Sequence, residues 1–327
     1  VKDELDQILD NVFLFQKKVL NSEFPNAKLS QSIIYGSKDI IPTQFNGEIS
    51  TYNIFDNTKY EVVDNPFFIH FTSIGTFNQI INSGFLRMSD FNCLSDKTEL
   101  LFSSELITKL NEDQKIKIGS EKQNLFSLSA CLSNESTLNN EHMWSQYASG
   151  GSGCAIEYQF NEMNIHRLIF GMVKYGKAPL KPLKRIVKYA EDFKEKYNLS
   201  INDLPFFLLK ISAFHKDIKY KQEKEVRLLF HKDDSIGYNT MSKYEYRDFY
   251  SDNEVRNFIK IPVISKNKLN NSKSSFFPSI EITRVIIGKN NPDIDATISQ
   301  LFEIRKETKF SFEIWVHSPT KKLIKVI

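Results

Sequence analysis

Residues Phe67–Ser89 read FFIHFTSIGTFNQIINSGFLRMS. Phe67 to Phe71 is a short apolar run of strand-forming residues, and Thr72 and Ser73 can cap a helix over Ile74–Asn82. Gly84 supplies the residue that most readily ends such a helix, after which Phe85 to Ser89 resumes as a strand. Strand, helix and strand follow one another with almost no connecting loop, which implies compact α/β or α+β packing.

Toward the N-terminus, Asp64-Asn65-Pro66 reads as a turn that opens the main domain. Residues 1–22 read as one amphipathic helix, with Leu5, Ile8, Leu9, Val12, Phe13 and Phe15 spaced for an apolar face. Residues 26–64 are polar and weakly strand-like in SIIYG and EISTYNIF. The chain thus divides into an N-terminal helix and polar extension (1–64) and a main domain (65–327). Toward the C-terminus, Leu125–Leu132, Cys154–Tyr158, Ile261–Ile264, Arg284–Ile287 and Phe310–Val316 read as strands. Helices are expected at Glu141–Tyr147, Lys184–Tyr197, Leu204–Tyr220 and Ile294–Thr308. Gly150, Gly151 and Gly153 break the chain before Cys154, Pro262 argues for a sheet edge, and Lys266–Ser275 reads as a surface loop.

The 327 residues are 41% hydrophobic and 25% charged, so the chain can bury a core and is not disordered throughout. No apolar run is long enough to cross a bilayer, and the acidic N-terminus lacks the basic flank of a secretory signal, so the expected location is the cytoplasm, away from membranes. Cys93, Cys131 and Cys154 have no CxxC spacing and read as core thiols rather than a disulfide framework or zinc knuckle. Six histidines without HxxxH or HExxH spacing give no metal site. A phosphate-binding GxxxxGK[ST] loop, a GxGxxG turn and a GxSxG elbow are all missing, which argues against Walker-type and α/β-hydrolase chemistry. Net charge is only +3, yet basic residues cluster at Lys177–Lys188, Arg305–Lys309 and Lys321–Lys322. Converging on one face, they would form a track for phosphates.

Lys216–Phe230, KDIKYKQEKEVRLLF, carries the densest chemistry. A helical segment is expected to run into a strand with Glu223, Glu225 and Arg227 at every second position, hence on one face, with Val226 and Leu228 on the other. Two carboxylates and a guanidinium on one face need water, mutual pairing or a ligand to compensate them. An edge strand with a solvated charged face accounts for the same pattern.

In order, FIHFTSIGTFNQIINSGFLRMSDFNCLSDKTEL, LFSLSACLSNESTLNNEHMWSQYASGGSGCAIEYQF, KYGK and KDIKYKQEKEVRLLF resemble a bacterial domain-of-unknown-function family. That family's pattern is an opening His-Tyr-Thr strand and helix, an acidic Asn-Asp-Pro-x-Glu turn, a Ser-Phe-Ser strand, a Met-Trp-x-x-Tyr helix and a closing Lys-x-x-x-Trp-x-x-Glu-x-Glu-x-Arg strand. It is identified as a member of the ADP-ribosyltransferase superfamily, and is more distantly similar to DarT-type toxins acting on DNA and phage-defence toxins acting on RNA. The likeness covers roughly residues 67–230. It matches His70, the turn residues Ser95, Asp96 and Glu99, then Ser127 and Ser129, Trp144 and Tyr147, and Glu223, Glu225 and Arg227. Phe71 stands for the usual Tyr, Leu128 for Phe, Lys97 for the turn proline and Tyr220 for Trp.

The resemblance implies an α+β fold with an ADP-ribosyltransferase-like split β-sheet core and flanking helices. It further implies an enzyme, an NAD-dependent mono-ADP-ribosyltransferase acting as a toxin or phage-defence effector on an RNA or DNA base, with NAD as substrate and no metal. Either Glu225 or Glu223 would stabilise positive charge developing on the ribose, Glu225 being the favoured one, with Glu223 and Arg227 then orienting it or the acceptor. His70, Phe71, Thr72, Ser129, Trp144 and Tyr147 would bind NAD. An antitoxin protein is a possible partner. A protein acceptor, water as acceptor in an NAD glycohydrolase, and a non-catalytic NAD- or nucleic-acid-binding module are the alternatives.

Overall fold

The computed structural model describes residues 2–35, 42–50, 54–62, 67–92, 100, 122–161, 168–177, 180–198, 201, 204–232, 245–251, 254–264, 279–308, 310–318, 320 and 322–326. The turn at 64–66, the acidic turn with Ser95, Asp96 and Glu99, Cys93 and the loop at 266–275 lie outside them.

The main helices are α1 (Lys2–Leu14), prolonged by a π-helical stretch and a last turn to Glu23, α2 (Ile74–Ser83), α3 (Glu141–Tyr147), α4 (Lys181–Tyr197), α5 (Leu204–Ser212) and α6 (Ile294–Thr308). The strands are β1 (Lys28–Tyr35), β2 (Pro42–Ser50), β3 (Phe67–Thr72), β4 (Phe85–Asp90), β5 (Leu125–Leu132), β6 (Cys154–Asn161), β7 (Leu168–Met172) and β8 (Lys174–Tyr175). They continue with β9 (His215–Lys216), β10 (Glu225–His231), β11 (Glu245–Ser251), β12 (Glu254–Pro262), β13 (Ser279–Ile287), β14 (Glu313–His317) and β15 (Leu323–Lys325). The fold is α+β, built on an open mixed sheet of eleven strands.

Local chemistry fixes the unit at 67–90. Ser73 caps α2 by accepting from the Thr76 N–H, and Gly84, at φ 72°, ends it in the left-handed conformation. Long-range pairing then divides the sheet at β5. Strand β10 runs antiparallel along one edge of β5 from Leu125 to Cys131. On the other edge β4 pairs with Phe126 and Ser127, while β3 pairs with Cys131 and Leu132. Leu128–Ala130 lie between the two, so one arm of the sheet runs β3-β6-β13-β14-β15 and the other β4-β12-β11. Among the described residues the strands of this sheet pair antiparallel except β13 with β14, and an isolated parallel bridge joins Val263, just after β12, to Ile280 of β13.

Three apolar clusters flank the sheet. The largest unites Val12, Phe15, Phe24, Phe55 and Tyr60 from residues 1–64 with the buried faces of α4 and α5 and with Leu125 and Leu229 of the sheet. The second packs α2 and α6 against Phe68, Leu128, Val226, Leu228 and Val285 on the opposite face. A smaller one gathers Ile69, Phe71, Cys131, Trp144 and Ile286 under α3.

The fold corrects three expectations. The helix expected over Leu204–Tyr220 ends at Ser212, because Phe214 enters the core and His215–Lys216 pair as β9 with β8; a 3-10 turn follows over Ile218–Glu223. The strand expected from Glu223 begins at Glu225, since Lys224 at φ 47° interrupts extended backbone. The proline strand is not an edge: β12 lies between β11 and β4. Pro262 sits beyond Ile259, where pairing with β11 stops, so its missing N–H breaks no ladder there.

Gly153 holds the connection from α3 into β6 against β3. A Cβ there would stand 2.3 Å from the Thr72 carbonyl oxygen and 3.0 Å from that of Ala148, both backbone. Gly153→Ala is expected to lower stability by about 1–3 kcal/mol, the usual range for overpacking, read as a lower urea midpoint with unchanged slope.

Candidate active site

The sheet brings Ser129, Glu225 and Arg227 together. Register pairs Arg227 with Ser129 and Glu225 with Cys131, so these side chains share the face that Leu229 presents to the largest core cluster. Arg227 is 1% exposed and Glu225 3%, both deeper than charged residues normally lie without partners. The Arg227 guanidinium donates to Glu225 Oε1 from Nε at 2.8 Å and stands 2.7 Å from it through a second nitrogen. It also donates to the Ala213 carbonyl and sits over the Phe91 ring. The Ser129 hydroxyl donates to the same Glu225 oxygen.

Glu223 joins from outside the strand. The 3-10 turn delivers its carboxylate to the Lys216 ammonium, which stands 2.9 Å from Glu223 Oε2 and 2.8 Å from Glu225 Oε2. On the solvent side the Tyr147 hydroxyl donates to Glu223 Oε1 at 2.6 Å, with the residue 42% exposed. The Tyr175 hydroxyl accepts from the Glu225 N–H at 2.8 Å. Two carboxylates and two cations thus form one balanced, largely buried cluster. Burial raises the Glu225 pKa, but Arg227 and Lys216 outweigh it and hold the carboxyl at about 2. Burial lifts the Tyr147 and Tyr175 hydroxyls well above the ordinary phenol value, aided at Tyr147 by Glu223 and at Tyr175 by Glu225. Burial, with Glu225 and Glu223 nearby, pushes the Cys131 thiol up to about 12, so it stays protonated and donates to the Glu223 carbonyl.

The remaining expected residues stand elsewhere. Trp144 is buried, stacked on His317 and edge-on to Phe71, and its indole donates to the Leu138 carbonyl. Trp144 and Phe71 are core side chains of the cluster under α3. Alternation along β3 puts His70 on the face of Phe68, opposite Ile69 and Phe71. Its Nδ1 approaches the Ser129 carbonyl at 3.5 Å, at the point where β3 leaves β5, and burial lowers its pKa. Thr72 ends β3 just before Ile74, which helps line an open pocket of about 350 Å³ with Ser149, Gly153, Asn291 and Thr297. His70 and Thr72 therefore sit apart from the acid cluster. Lys216 and Tyr175, which the residue pattern alone did not single out, belong to it. Their signal was the KYGK and KDIKYK segments, whose pairing as β8 and β9 is a tertiary contact.

Residues 143–228 match the model of a family described as protein of unknown function (DUF2971). No curated protein and no solved structure matches the chain. The DUF2971 segment spans roughly a quarter of the chain. It runs from α3 to β10 and so contains Tyr147, Tyr175, Lys216, Glu223, Glu225 and Arg227, whereas Ser129 and His70 lie ahead of it. Among the described residues no helix is long and apolar enough to cross a membrane, and no group of three or more His, Cys, Asp or Glu could hold a metal ion.

Proposed function

We propose that the chain is an NAD-dependent mono-ADP-ribosyltransferase, and that its acceptor is a nucleic-acid base. The observation that carries this reading is Glu225, a buried carboxylate kept anionic, with a pKa of about 2, by Arg227 and Lys216 and oriented by Ser129. A carboxylate of that pKa is a poor proton acceptor at neutral pH, since general bases work best near the operating pH. It is better suited to accepting a ribose hydroxyl and stabilising positive charge on C1′ as the bond to nicotinamide breaks. The nicotinamide leaves with the bonding electron pair, and an acceptor atom then bonds to C1′ and releases its proton. Lys216 must move off Glu225 for this to happen, because Arg227 and Ser129 already occupy the other carboxylate oxygen. Tyr147, half-exposed beside Glu223, fits the rim of such a site. His70 and Trp144 do not face the cluster, so no step is assigned to them.

A second reading has its own support: every charged group of the cluster has an internal partner, as in a purely structural ion network. The two separate on one assay. Purified protein incubated with NAD and single-stranded RNA or DNA is expected to release nicotinamide and label the oligonucleotide. Absence of nicotinamide release with RNA, DNA and protein acceptors alike would leave the structural network standing.

A further inference from the structure

We propose that Lys216 is a latch on the acid cluster: its ammonium holds the place of a ligand's cationic ring, that of oxidised nicotinamide, and swings aside onto Tyr220 when the ligand enters. The identity of the ligand rests on the proposed transfer reaction, whereas the latch is tested by binding alone.

The two cations of the cluster are held differently. Arg227 is the deepest member, with 1% of its side chain exposed, and is fixed by Glu225 Oε1, the Ala213 carbonyl and the Phe91 ring. Lys216 lies outermost of the four charged side chains, at 11% against 4% for Glu225 and 5% for Glu223. It donates to Glu223 Oε2 at 2.9 Å, but its 2.8 Å approach to Glu225 Oε2 is off the hydrogen-bond direction, so that buried oxygen is held by charge alone. Glu225 Oε1, by contrast, accepts from Ser129 and Arg227. Of the three side chains on that carboxylate, Lys216 alone can leave without stripping an aligned hydrogen bond from it.

Its departure leaves partners on both sides. Glu223 keeps the Tyr147 hydroxyl at 2.6 Å. The ammonium already stands 5.3 Å from the centroid of the Tyr220 ring, within cation–π range, and rides on a flexible four-carbon stem. Lys219 stands 4.8 Å from the same ring, but it is exposed, so water can solvate it instead.

Charge decides what can take the vacated place. With Lys216 aside, two carboxylates face Arg227 alone, and the space between Glu223 Oε2 and Glu225 Oε2 draws in a cation and repels an anion. The oxidised nicotinamide ring is a cation and its reduced form is neutral, so the latch also discriminates between the two. Half-exposed Tyr147, bonded to Glu223, offers an aromatic wall beside this opening.

The test measures equilibrium binding to the full chain of a carbocyclic NAD analogue, which keeps the pyridinium charge but resists loss of nicotinamide, and of its neutral reduced form, at about pH 8, where carboxyl groups are ionised. A latch that is open for only a fraction of the time weakens apparent binding by that fraction. Lys216→Met is therefore expected to bind the cationic analogue about 10-fold tighter than wild type, with the reduced form changed by less than about 2-fold. Tyr220→Leu removes the receiving ring and is expected to bind the cationic analogue about 2-fold to 5-fold more weakly. Thermal unfolding shows which variants are folded, and if Lys216→Met is not, Tyr220→Leu decides. A folded Lys216→Met that gains no affinity, or gains equally for both forms, overturns the latch, as does unchanged affinity in Tyr220→Leu. Nicotinamide release from NAD by wild type is assayed separately. The expected affinities without release support the latch and remove the transfer reading. Release by wild type with no gain in Lys216→Met removes the latch and leaves transfer standing.

Discussion

Arg227→Leu is expected to lower the stability of the folded chain by about 3–5 kcal/mol, the range for removing one partner of a buried ion pair. The size follows from what is left behind. Leucine fills part of the space beside Phe91, but Glu225 loses both nitrogens that meet Oε1, and the Ala213 carbonyl loses its donor. Lys216 alone then faces two buried carboxylates. Replacing Glu225 and Arg227 together by leucine is expected to be less damaging than Arg227→Leu alone, since no unpaired charge stays in that layer. Urea unfolding of the two variants measures the difference, and a double variant less stable than the single one would contradict it. The same pair sets an acid limb. Glu225 is ordinarily near 4.5 and is held at about 2 in the fold. A depressed carboxyl contributes stability that is complete above 4.5 and is lost as pH falls through 2. In Arg227→Leu, burial acts on Glu225 with less opposition, so this acid-linked loss should shrink and shift to higher pH.

Local chemistry made parts of this arrangement legible. Ser73 and Gly84 mark the ends of α2 because a hydroxyl cap and a left-handed glycine act on neighbouring residues. Helix α6 has the bounds its periodicity implies. Glu225 and Arg227 share a face as strand alternation requires. The fork at β5 was not readable from residues, because it depends on β3 and β4, separated by α2, both choosing the same edge of a strand far along the chain. The Leu204–Tyr220 segment shows the limit from the other side. Its residues suit a helix, but Phe214 is buried against Phe55 with ring centroids 4.6 Å apart, and His215 finds a hydrogen-bond partner in Tyr60 at 2.9 Å. Those contacts come from residues 1–64, so tertiary packing overrides propensity and carries Lys216 to the carboxylates. Glu223 reaches the cluster for the same reason, on a turn rather than in the strand that alternation suggested.

Glu225→Gln is expected to lower nicotinamide release by about 100-fold to 1000-fold, chiefly in kcat, with KM for NAD little changed. The amide keeps the shape of the carboxylate and can still accept from Ser129 and Arg227, but the negative charge is gone. That charge matters most when positive charge is greatest, in the transition state, which is why binding should suffer less than turnover. Removing it also leaves Arg227 without its counterion, so thermal unfolding must show that the variant is folded at the assay temperature. Glu223→Gln separates the two carboxylates. Its partners are Tyr147 and Lys216, nearer to solvent, so it is expected to slow transfer to the nucleic-acid acceptor more than transfer to water. Loss of both reactions in Glu223→Gln, with Glu225→Gln folded and active, would exchange their roles. Full release of nicotinamide by both folded variants would return the cluster to a structural ion network, for no chemistry at C1′ could then depend on its charge.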